Sequence, residues 1–396
     1  MGKLGIAFYT DTYLPAIDGV VSSILNFRKE LERRGHRVYV FSSCKIGSEK
    51  TKDKNVFLYP GIDFKPYPQY SMALFPYNSM AKLKELDVNV IHAHTPLVMG
   101  FAGLISARLG KYPIVGSYHT VVNNKAIIND YYPKNRQLKR LTAKYMLKYI
   151  QFFYRRCNAT TAPSNVIAKM LKNYGGVDNI SVVPNSVDLT YFNPRVDGSN
   201  IRERLRIRER EKVVLYLGRL SKEKRIEVLL RAAAVTAKKR DDIKFVIGGA
   251  GPAEAYYKGM ARKLGIQKHV KFLGHVDRRV LPNLYASSDL LCLPSTFETQ
   301  GIVSLEAMAT GKPVVGANYL ALSELIKNGR NGEKFSPGDH VGCARKIEKV
   351  LNDSSPYIRD ALSTAKQFSV EKVTDRLLDV YDLVLSNYNG GFTERQ

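Results

Sequence analysis

Cysteines are few in this sequence, long apolar runs are absent, and acidic residues are scarce. No Cys-x-x-Cys pair exists among the widely spaced cysteines, Cys44, Cys157, Cys292 and Cys343. This argues against a disulfide scaffold and a zinc-ribbon site and favours a reducing compartment. No window approaches about 18 uninterrupted apolar residues, so we expect no transmembrane helix. The N-terminal segment has only a short apolar run and predicts no secretory signal, so any membrane contact should be peripheral.

The shortage of acidic residues leaves a large positive charge. Asp and Glu number 36 against 61 Lys and Arg, which gives a net charge of +25. Such an excess favours polyanionic partners, namely nucleic acid, an anionic lipid surface or phosphorylated substrates. The 396 residues are 44% apolar and 24% charged, which is typical of a globular protein and excludes a mainly disordered or fibrous one. At about 150 residues per domain, the length predicts two to three domains.

Short apolar runs alternate with helical patterns along the chain. A first series of predicted strands covers residues 4–8, 36–42, 88–94, 114–118 and 158–162, and a helix is predicted over 20–34. A polar stretch around residues 182–199 interrupts the pattern. The series then restarts with predicted strands at 213–218, 244–247, 270–273, 290–293 and 313–316. Strand–helix alternation of this kind predicts parallel sheets flanked by helices, so we expect two doubly wound α/β halves with a cleft between them.

The first segment that indicates chemistry is Gly218–Arg225, which follows a predicted strand and opens a predicted helix. Ser221 is a candidate N-cap for that helix. The helix macrodipole disfavours the three cations that would crowd its first turn, Lys222, Lys224 and Arg225. A bound anion would resolve this conflict, and Arg219 and Lys224 could clamp a diphosphate from two sides. A solvated basic surface turn is the alternative.

The second segment is Pro294–Pro313, in which Glu298 lies in a loop after a predicted strand. Gly301 would allow a close backbone approach at a helix start. Glu306 lies on a helix of mainly apolar residues, where a carboxylate is rarely buried without a partner. A sugar diol that donates two hydroxyl protons is one suitable partner. A structural salt bridge, or a Glu306 side chain turned to solvent, is the alternative.

Together the two segments resemble the retaining glycosyltransferases of family four, which have the GT-B fold. Glu298 and Glu306 match the Glu-x7-Glu spacing of that family, followed by Gly-x-Pro-Val-Val at 311–315, and 218–224 matches Gly-Arg-Leu-x-x-Glu-Lys. Both motifs occur in order at the ends of predicted strands, and the resemblance covers nearly the whole chain. It implies an α/β, GT-B architecture of two doubly wound Rossmann-like domains facing a central cleft. The acceptor-side domain would cover residues 1–190, the nucleotide-sugar-binding domain 191–369, and a C-terminal helix 370–396 would cross back to the first domain.

The resemblance also implies roles in holding the donor and in catalysis. Arg219 and Lys224 would hold the donor diphosphate and offset the charge that builds on it as it leaves. Glu298 would contact the donor sugar, Glu306 the nucleotide ribose, and the backbone around Gly301 and Ile302 the sugar or a phosphate. Attack would come on the face from which the diphosphate leaves, so that the anomeric configuration is retained, and donor binding would close the cleft.

Further segments match the family pattern. Gly19, after Asp18, would let the backbone approach the donor phosphates at a helix N-terminus, although an ordinary Asp-Gly turn fits as well. His119, at a strand end, is similar to the active-site His of the family and would hydrogen-bond the donor sugar or position the acceptor. A purely structural His is the alternative. Gly249 lies in a glycine cluster that resembles the family's glycine-rich loop near the nucleotide, although any tight turn would also explain the cluster. Val276 lies in a segment that resembles the one whose backbone faces the base of the nucleotide.

A metal site is not expected, and neither is a cofactor. His92 and His94 would lie on one strand face, but no cysteine or acidic third ligand is close by in sequence. The family that the chain resembles holds its donor with cationic side chains and helix ends, without a metal.

The segment 125–156 suggests a membrane surface. It contains nine basic residues and one acid, a net charge of +8, interleaved with aromatic and aliphatic residues. This pattern is typical of a basic amphipathic helix on an anionic membrane, with four central cations as candidate contacts, Arg136, Lys139, Arg140 and Lys144. A solvated helix with a buried aromatic face is the alternative. A second aromatic stretch, 63–77, would dip into lipid, line an acceptor pocket or pack in a core.

The acceptor is predicted to be a lipid. The form of the donor loop over 296–301 resembles lipid glycosyltransferases of the family such as diacylglycerol glucosyltransferases. This favours UDP-glucose as donor, a diacylglycerol-like acceptor, and a cytoplasmic enzyme peripheral at the inner face of the cell membrane. A soluble or polysaccharide glycosyltransferase with a non-lipid acceptor is the alternative. A nucleic-acid-binding protein would account for the charge, but no known nucleic-acid-binding module is present, so no nucleic-acid partner is expected.

Overall fold

The chain divides into two compact α/β units. The computed structural model describes residues 2–16, 18–63, 71–74, 76, 78–119 and 135–388, without the side chains of Arg136 and Lys139. The first unit comprises Met1–Ser186 together with Val370–Gln396, and the second comprises Val187–Ser369. The last helix is therefore part of the first unit, although the whole second unit precedes it in the sequence.

The first unit is built on an eight-stranded sheet. Its strands are β1 Gly5–Thr10, β2 Arg37–Lys45, β3 Val56–Asp63, β4 Ser71–Ala73, β5 Val90–Ala93, β6 Ile114–Ser117, β7 Ala159–Ala162 and β8 Ile180–Val182. Its described helices are α1 Gly19–Arg33, α2 Asn78–Lys84, α3 Val98–Gly110, α4 Arg136–Tyr154, α5 Asn165–Gly175 and α14 Val370–Ser386. Apolar side chains of α1 and α14 share one buried core with those of β1, β2, β5 and β6. This core attaches the last helix to the first unit.

The second unit is built on a six-stranded parallel sheet. Its strands are β9 Lys212–Leu217, β10 Ile243–Gly248, β11 Val270–Gly274, β12 Leu290–Leu293, β13 Val314–Ala317 and β14 Gly332–Phe335. Its helices are α6 Ser199–Arg204, α7 Ile226–Ala237, α8 Glu254–Lys263, α9 Leu281–Ala286, α10 Ile302–Ala309, α11 Leu320–Leu325, α12 His340–Asn352 and α13 Ser355–Gln367. The central strands read as continuous apolar runs because they are buried on both faces.

The strand order of each sheet reverses at one point. The second sheet has the order β11-β10-β9-β12-β13-β14, so its first strand, β9, adjoins β12. The first sheet has the order β4-β3-β2-β1-β5-β6-β7-β8, with all pairs parallel except β3 and β4, and reverses between β1 and β5. Ligands of doubly wound sheets bind beyond the carboxyl ends of the strands at such a reversal. The loops after β9 and β12 are therefore the expected site in the second unit.

The predicted α/β class is confirmed, whereas some strand predictions were incomplete. The strands β3, β4, β8 and β14 were not predicted. β4, β8 and β14 are only three or four residues long, and most residues of the longer β3 are not fully buried. The predicted helix over 20–34 begins one residue earlier, at Gly19, and ends at Arg33. No described helix is long and apolar enough to span a membrane.

Candidate active site

The loop after β9 is shaped by close packing against the glycine cluster after β10. Gly249 has a φ of +129°, and a Cβ atom there would lie 1.9 Å from the carbonyl oxygen of Gly218, so only glycine fits. The Leu220 N–H donates to the Ala250 carbonyl at 3.0 Å. A Cβ on Gly248 would lie 3.1 Å from Cγ2 of Val276. Gly249 and Val276 are thus brought beside the loop that carries Arg219, as one continuous surface of the second unit.

Two details predicted for the segment after this loop were wrong: the side-chain cap by Ser221, and the position of the cations in the first turn of the following helix. Ser221 makes no side-chain cap, and its hydroxyl instead donates to Oε1 of the buried Glu223 at 2.5 Å. Lys222–Lys224 form a separate 3-10 turn, and Arg225 follows in the left-handed region with a φ of +55°. The α7 helix begins only at Ile226. The cations therefore do not crowd the first turn of α7, because the Arg225 conformation separates the two helical segments.

Lys224 and Glu298 come together at the strand reversal of the second sheet. Lys224 follows β9 and Glu298 follows the neighbouring strand β12, 74 residues further along the chain. Nζ of Lys224 lies 2.8 Å from Oε1 of Glu298 and donates to the Phe297 carbonyl at 3.2 Å. Both side chains are mostly buried, with 20% and 14% exposed. The two sequence motifs therefore form one ion-paired site that could bind an anion and a hydroxyl side by side.

The loop from Glu298 ends at a helix start without a side-chain cap. Gly301 has a φ of +80° and forms the N-cap of α10, which begins at Ile302. A Cβ on Gly301 would approach Leu322 Cδ2 to 3.0 Å, so the position is tight as well as left-handed. The first N–H groups of α10 thus receive no side-chain cap, and this end of the helix favours an anionic or hydroxyl oxygen.

Glu306 projects from α10 and does have a protein partner. The Tyr285 hydroxyl of α9 donates to Oε2 of Glu306 at 2.6 Å. The surrounding protein desolvates the carboxylate and raises the pKa of Glu306 to about 7, although the Tyr285 hydrogen bond and the charge of Arg278 act in the opposite direction. Glu306 remains partly exposed, so a ligand can still reach the carboxylate. The partner that the structure shows for this carboxylate is the Tyr285 hydroxyl, whereas its contact with a sugar diol stays a prediction.

The raised pKa of Glu306 predicts a pH-dependent stability. In the folded state this carboxyl binds a proton up to about pH 7, whereas in the unfolded chain it loses it near 4.5. The unfolding free energy should therefore fall as pH rises from about 4.5 to 7. Glu306→Gln keeps an acceptor for Tyr285 and should raise the unfolding free energy at pH 8 by roughly 1–3 kcal/mol, with no gain at pH 4.5. Chemical denaturation at the two pH values measures this, and an equal change at both would contradict it.

The histidines of the first unit form a stacked, neutral row. The His92 and His94 rings lie 4.1 Å apart, and Nδ1 of His94 lies 3.5 Å from Nε2 of His119. His92 contacts the hydroxyls of Tyr381 at 2.7 Å and Ser117 at 2.8 Å. Burial lowers the pKa of His92 to about 3 and that of His119 to about 4, and it lowers the pKa of His94 as well. A neutral His119 can donate and accept hydrogen bonds but supplies no positive charge.

A buried aspartate that sequence reasoning missed lies at the strand reversal of the first sheet. Asp11 follows β1 and accepts from the Thr95 hydroxyl at 2.5 Å and from the Met99 N–H at 2.9 Å. Burial raises the pKa of Asp11 to about 6. Its carboxylate caps α3, whose own N-cap, Leu97, supplies no side-chain bond. The signal was available, since a carboxylate directly after a buried central strand is unusual.

Asp18, which was predicted with Gly19 to contact the donor, is the N-cap of the helix at which the donor phosphates were expected. Its Oδ1 accepts from the N–H groups of Val20 at 2.8 Å and Val21 at 2.9 Å, so it caps α1. Gly19 is the exposed first residue of that helix. A carboxylate already occupies the first N–H groups, where a phosphate would otherwise bind. The phosphate contacts are therefore better assigned to the second unit.

The basic helix α4 is only partly packed. Its C-terminal turns are buried through Ile150, Phe153 and Tyr154. Large apolar side chains are nevertheless exposed along the helix, at 49% for Leu138, 49% for Leu141, 62% for Tyr145 and 41% for Phe152. Arg140 and Lys144 are exposed beside them. Residues 125–134 of the predicted membrane segment, and most of the aromatic stretch 63–77, lie outside the described residues.

Among the described residues, no group of three or more His, Cys, Asp and Glu side chains is arranged to hold a metal ion. The candidate residues instead form two sets. The residues predicted to bind the donor in the second unit lie on its loops, on the 3-10 turn and on helix α10, namely Arg219, Lys224, Gly249, Val276, Glu298, Gly301, Ile302 and Glu306. Asp18, Gly19 and His119, together with α4, belong to the first unit.

Comparison with known proteins identifies the class. Residues 17–191 match the family described as Glycosyltransferase Family 4, and residues 197–368 match Glycosyl transferases group 1. The chain is 31% identical over 367 residues to the sulfoquinovosyl transferase SQD2 of Arabidopsis thaliana, covering 90% of this chain and 68% of that protein. The chain therefore belongs to the glycosyltransferases of family four, and the predicted family is confirmed.

The chain is also similar to a second curated relative and to a solved structure. The chain is 28% identical over 390 residues to an alpha-monoglucosyldiacylglycerol synthase of Streptococcus pneumoniae, covering 96% of this chain and 86% of that protein. Its structure resembles that of Anabaena HepE in complex with UDP and glucose, with a TM-score of 0.76 and 20% identity over 96% of this chain and all of that one. The predicted GT-B fold is thereby confirmed, and the protein is a glycosyltransferase that acts on a nucleotide-sugar.

Proposed function

We propose that the protein is a retaining hexosyltransferase that moves glucose from UDP-glucose to a hydroxyl of a diacylglycerol-like lipid. The proposal rests on one observation. Nζ of Lys224 lies 2.8 Å from Oε1 of Glu298, beyond the strand reversal of the second sheet. The pair supports the proposal because a cation lies directly beside a carboxylate. In the proposal, Lys224 binds the leaving diphosphate and Glu298 binds the sugar hydroxyls. Arg219 lies on the same loop as Lys224 and serves as the second cation on the diphosphate.

The other donor contacts follow from the same surface. The start of α10, at Gly301 and Ile302, offers N–H groups to a phosphate or sugar oxygen. The partly exposed carboxylate of Glu306 accepts hydrogen bonds from the two ribose hydroxyls. The glycine cluster at Gly249 and the backbone at Val276 bound the space for the base. The donor is held by these groups without a metal.

Catalysis in this proposal is electrostatic. Negative charge grows on the diphosphate as the bond to the sugar breaks, and Lys224 and Arg219 stabilise that charge more in the transition state than in the ground state. Glu298 orients the sugar. His119 is neutral and hydrogen-bonds a sugar hydroxyl or positions the acceptor. The attacking hydroxyl approaches on the face from which the diphosphate leaves, so the anomeric configuration is retained.

Exposed side chains of helix α4, in the first unit, support a lipid acceptor. Exposed Leu138, Leu141 and Tyr145 of α4 lie beside exposed cations, which is the composition of helices that lie in a membrane interface. Leu141, Thr142, Tyr145, Met146 and Tyr149 of the same helix border an open depression on its surface. The relative from Streptococcus pneumoniae is named for a glucosyldiacylglycerol product, which supports the same acceptor. A peripheral position at the inner face of the cell membrane is part of the proposal.

A transfer assay tests this function. UDP- and GDP-linked glucose, galactose and mannose are each incubated with the protein and vesicles that contain diacylglycerol and phosphatidylglycerol. We expect a lipid-linked hexose from UDP-glucose at the highest rate. Transfer only to soluble sugar or sugar phosphate would instead favour a non-lipid acceptor, and failure of every donor would overturn the assignment of substrate.

A further inference from the structure

A large groove opens on the first unit, at the edge of the sheet where the strands begin. It has a volume of about 1570 Å³ and is lined by the C-terminal ends of α3, α4 and α14 and by the first residues of β7 and β8. Parallel strands start at one edge and end at the other. The groove therefore lies at the edge of this sheet opposite to His119, which follows the end of β6. It is separate from the groups assigned to the reaction.

The lining of the groove is strongly basic. Five cationic side chains contribute to it, Arg108, Lys111, Lys148, Arg155 and Arg156, against the carboxylate of Asp178. Among the described residues, Lys111, Lys148, Arg155 and Arg156 form no ion pair. The Arg156 guanidinium stacks at 3.7 Å over the Phe152 ring and donates to the Phe152 carbonyl at 3.1 Å. Its position is thus fixed, with edge N–H groups left for an anion.

Apolar side chains lie among these cations. Phe152, Val177, Leu383 and Val384 contribute to the same lining, and Leu383 is 56% exposed. A groove with this mixture matches a ligand that carries both an anionic group and an apolar part. Because Lys148 and Phe152 also belong to α4, the groove adjoins the helix that we assign to the membrane surface.

Lys111 lies at a backbone position where its side chain can be removed without loss of the helix end. Lys111 forms the C-cap of α3 with a φ of +55°, a left-handed position where glycine is the usual residue. A lysine there is strained relative to glycine. A glycine would close the helix equally well, so the conformation of α3 does not explain the side chain.

We propose that this groove binds a phosphate ester that carries an apolar group, at a site distinct from the donor and the acceptor. The phosphate lies among Lys111, Lys148 and Arg155, and the apolar part lies against Phe152 and Leu383. An anionic phospholipid at the membrane and a soluble phosphate ester share this chemistry, and the choice between them is made by experiment. No chemical step occurs at the site.

Calorimetric titration of the full chain tests the proposal with soluble probes. Dihexanoyl phosphatidylglycerol, below its micelle concentration, should bind saturably and more tightly than dihexanoyl phosphatidylcholine. Lys111→Gly should weaken that binding by about fivefold, as expected for one cation at an anionic group. The triple change Lys111→Gly, Lys148→Gln and Arg155→Gln should weaken it by about 100-fold.

The Lys111→Gly variant is informative because it should fold at least as well as the wild type. Arg206→Gly is its matched control, since Arg206 is an exposed cation of the second unit with a φ of +50°, and its binding should be unchanged. Equal binding of hexyl phosphate would support a soluble ester as the ligand, because this ester carries both a phosphate and an apolar chain. Equal binding of sn-glycerol 3-phosphate, which has no apolar group, would overturn the proposal that an apolar part is bound. No saturable binding of either dihexanoyl phosphatidylglycerol or hexyl phosphate, or undiminished binding by Lys111→Gly, would overturn the proposal. A change in melting temperature without a change in binding would also overturn it, because the cations would then serve only the helix ends.

Discussion

Replacing Lys224 with alanine is expected to lower the turnover number by about 100-fold or more, a loss of order 3 kcal/mol in transition-state stabilisation. The reason is the position of Nζ, 2.8 Å from Glu298 at the strand reversal. There it can offset charge on the departing diphosphate. The loss should appear in kcat more than in KM, because the charge grows as the bond breaks. Steady-state kinetics with saturating UDP-glucose measures the effect.

The control for this variant is two residues away. Lys222 is on the same 3-10 turn but is exposed, so Lys222→Ala should keep near wild-type turnover. Loss of the ion pair also leaves Glu298 without its partner, which could lower stability. Thermal denaturation of both variants therefore accompanies the kinetics. Near wild-type turnover in Lys224→Ala would show that the residue is only a structural partner of Glu298.

Reversing four charges on α4 is expected to abolish binding to anionic vesicles. Each cation near such a surface contributes about 1 kcal/mol, so replacing Arg136, Lys139, Arg140 and Lys144 by Glu should weaken binding by more than 100-fold. Binding of the wild type should fall at high salt, because screening shortens to about 3 Å at 1 M. Co-sedimentation with vesicles of phosphatidylglycerol and phosphatidylcholine measures both effects.

A matched variant separates helix α4 from the overall charge of the protein. Lys238, Arg262, Lys263 and Lys268 are exposed cations of the second unit, and their replacement by Glu changes the net charge equally. This control should still sediment with anionic vesicles. Hydrolysis of UDP-glucose should remain in the α4 variant, because the proposed donor groups belong to the second unit. Equal sedimentation of the α4 variant and the wild type would favour a soluble acceptor.

The fold was predictable because most of its strands are buried on both faces. Runs such as Val213–Leu217 and Leu290–Leu293 are continuous apolar stretches between helical patterns, and this alternation predicts a doubly wound sheet. Strand β14 was not predicted because it includes Glu333 and Lys334, whose polar side chains interrupt the apolar pattern. The Glu333 carboxylate is fully buried and is paired with two lysines from α12. These ion pairs form only in the tertiary structure, so the sequence around Glu333 does not indicate that a buried strand is there.

The candidate site was only partly predictable, for a related reason. Motif spacing placed Lys224 and Glu298 at strand ends, but their contact depends on β9 and β12 being neighbours, which the local pattern does not contain. The same holds for Tyr285, which approaches Glu306 from another helix. Ser221 looked like a helix cap because a serine before a helical pattern usually is one. The left-handed Arg225 moved the start of α7 and left Ser221 to bond Glu223 instead.

The anomeric configuration of the transferred sugar tests the central claim most directly. The product formed from UDP-glucose and diacylglycerol in vesicles is isolated, and the coupling constant of its anomeric proton is measured by nuclear magnetic resonance. UDP-glucose carries an α-linked sugar, so a retaining lipid glucosyltransferase must give an α-glucosyl lipid. A β-glucosyl lipid would contradict retention, and the absence of any glucosyl lipid from an active enzyme would contradict the lipid acceptor.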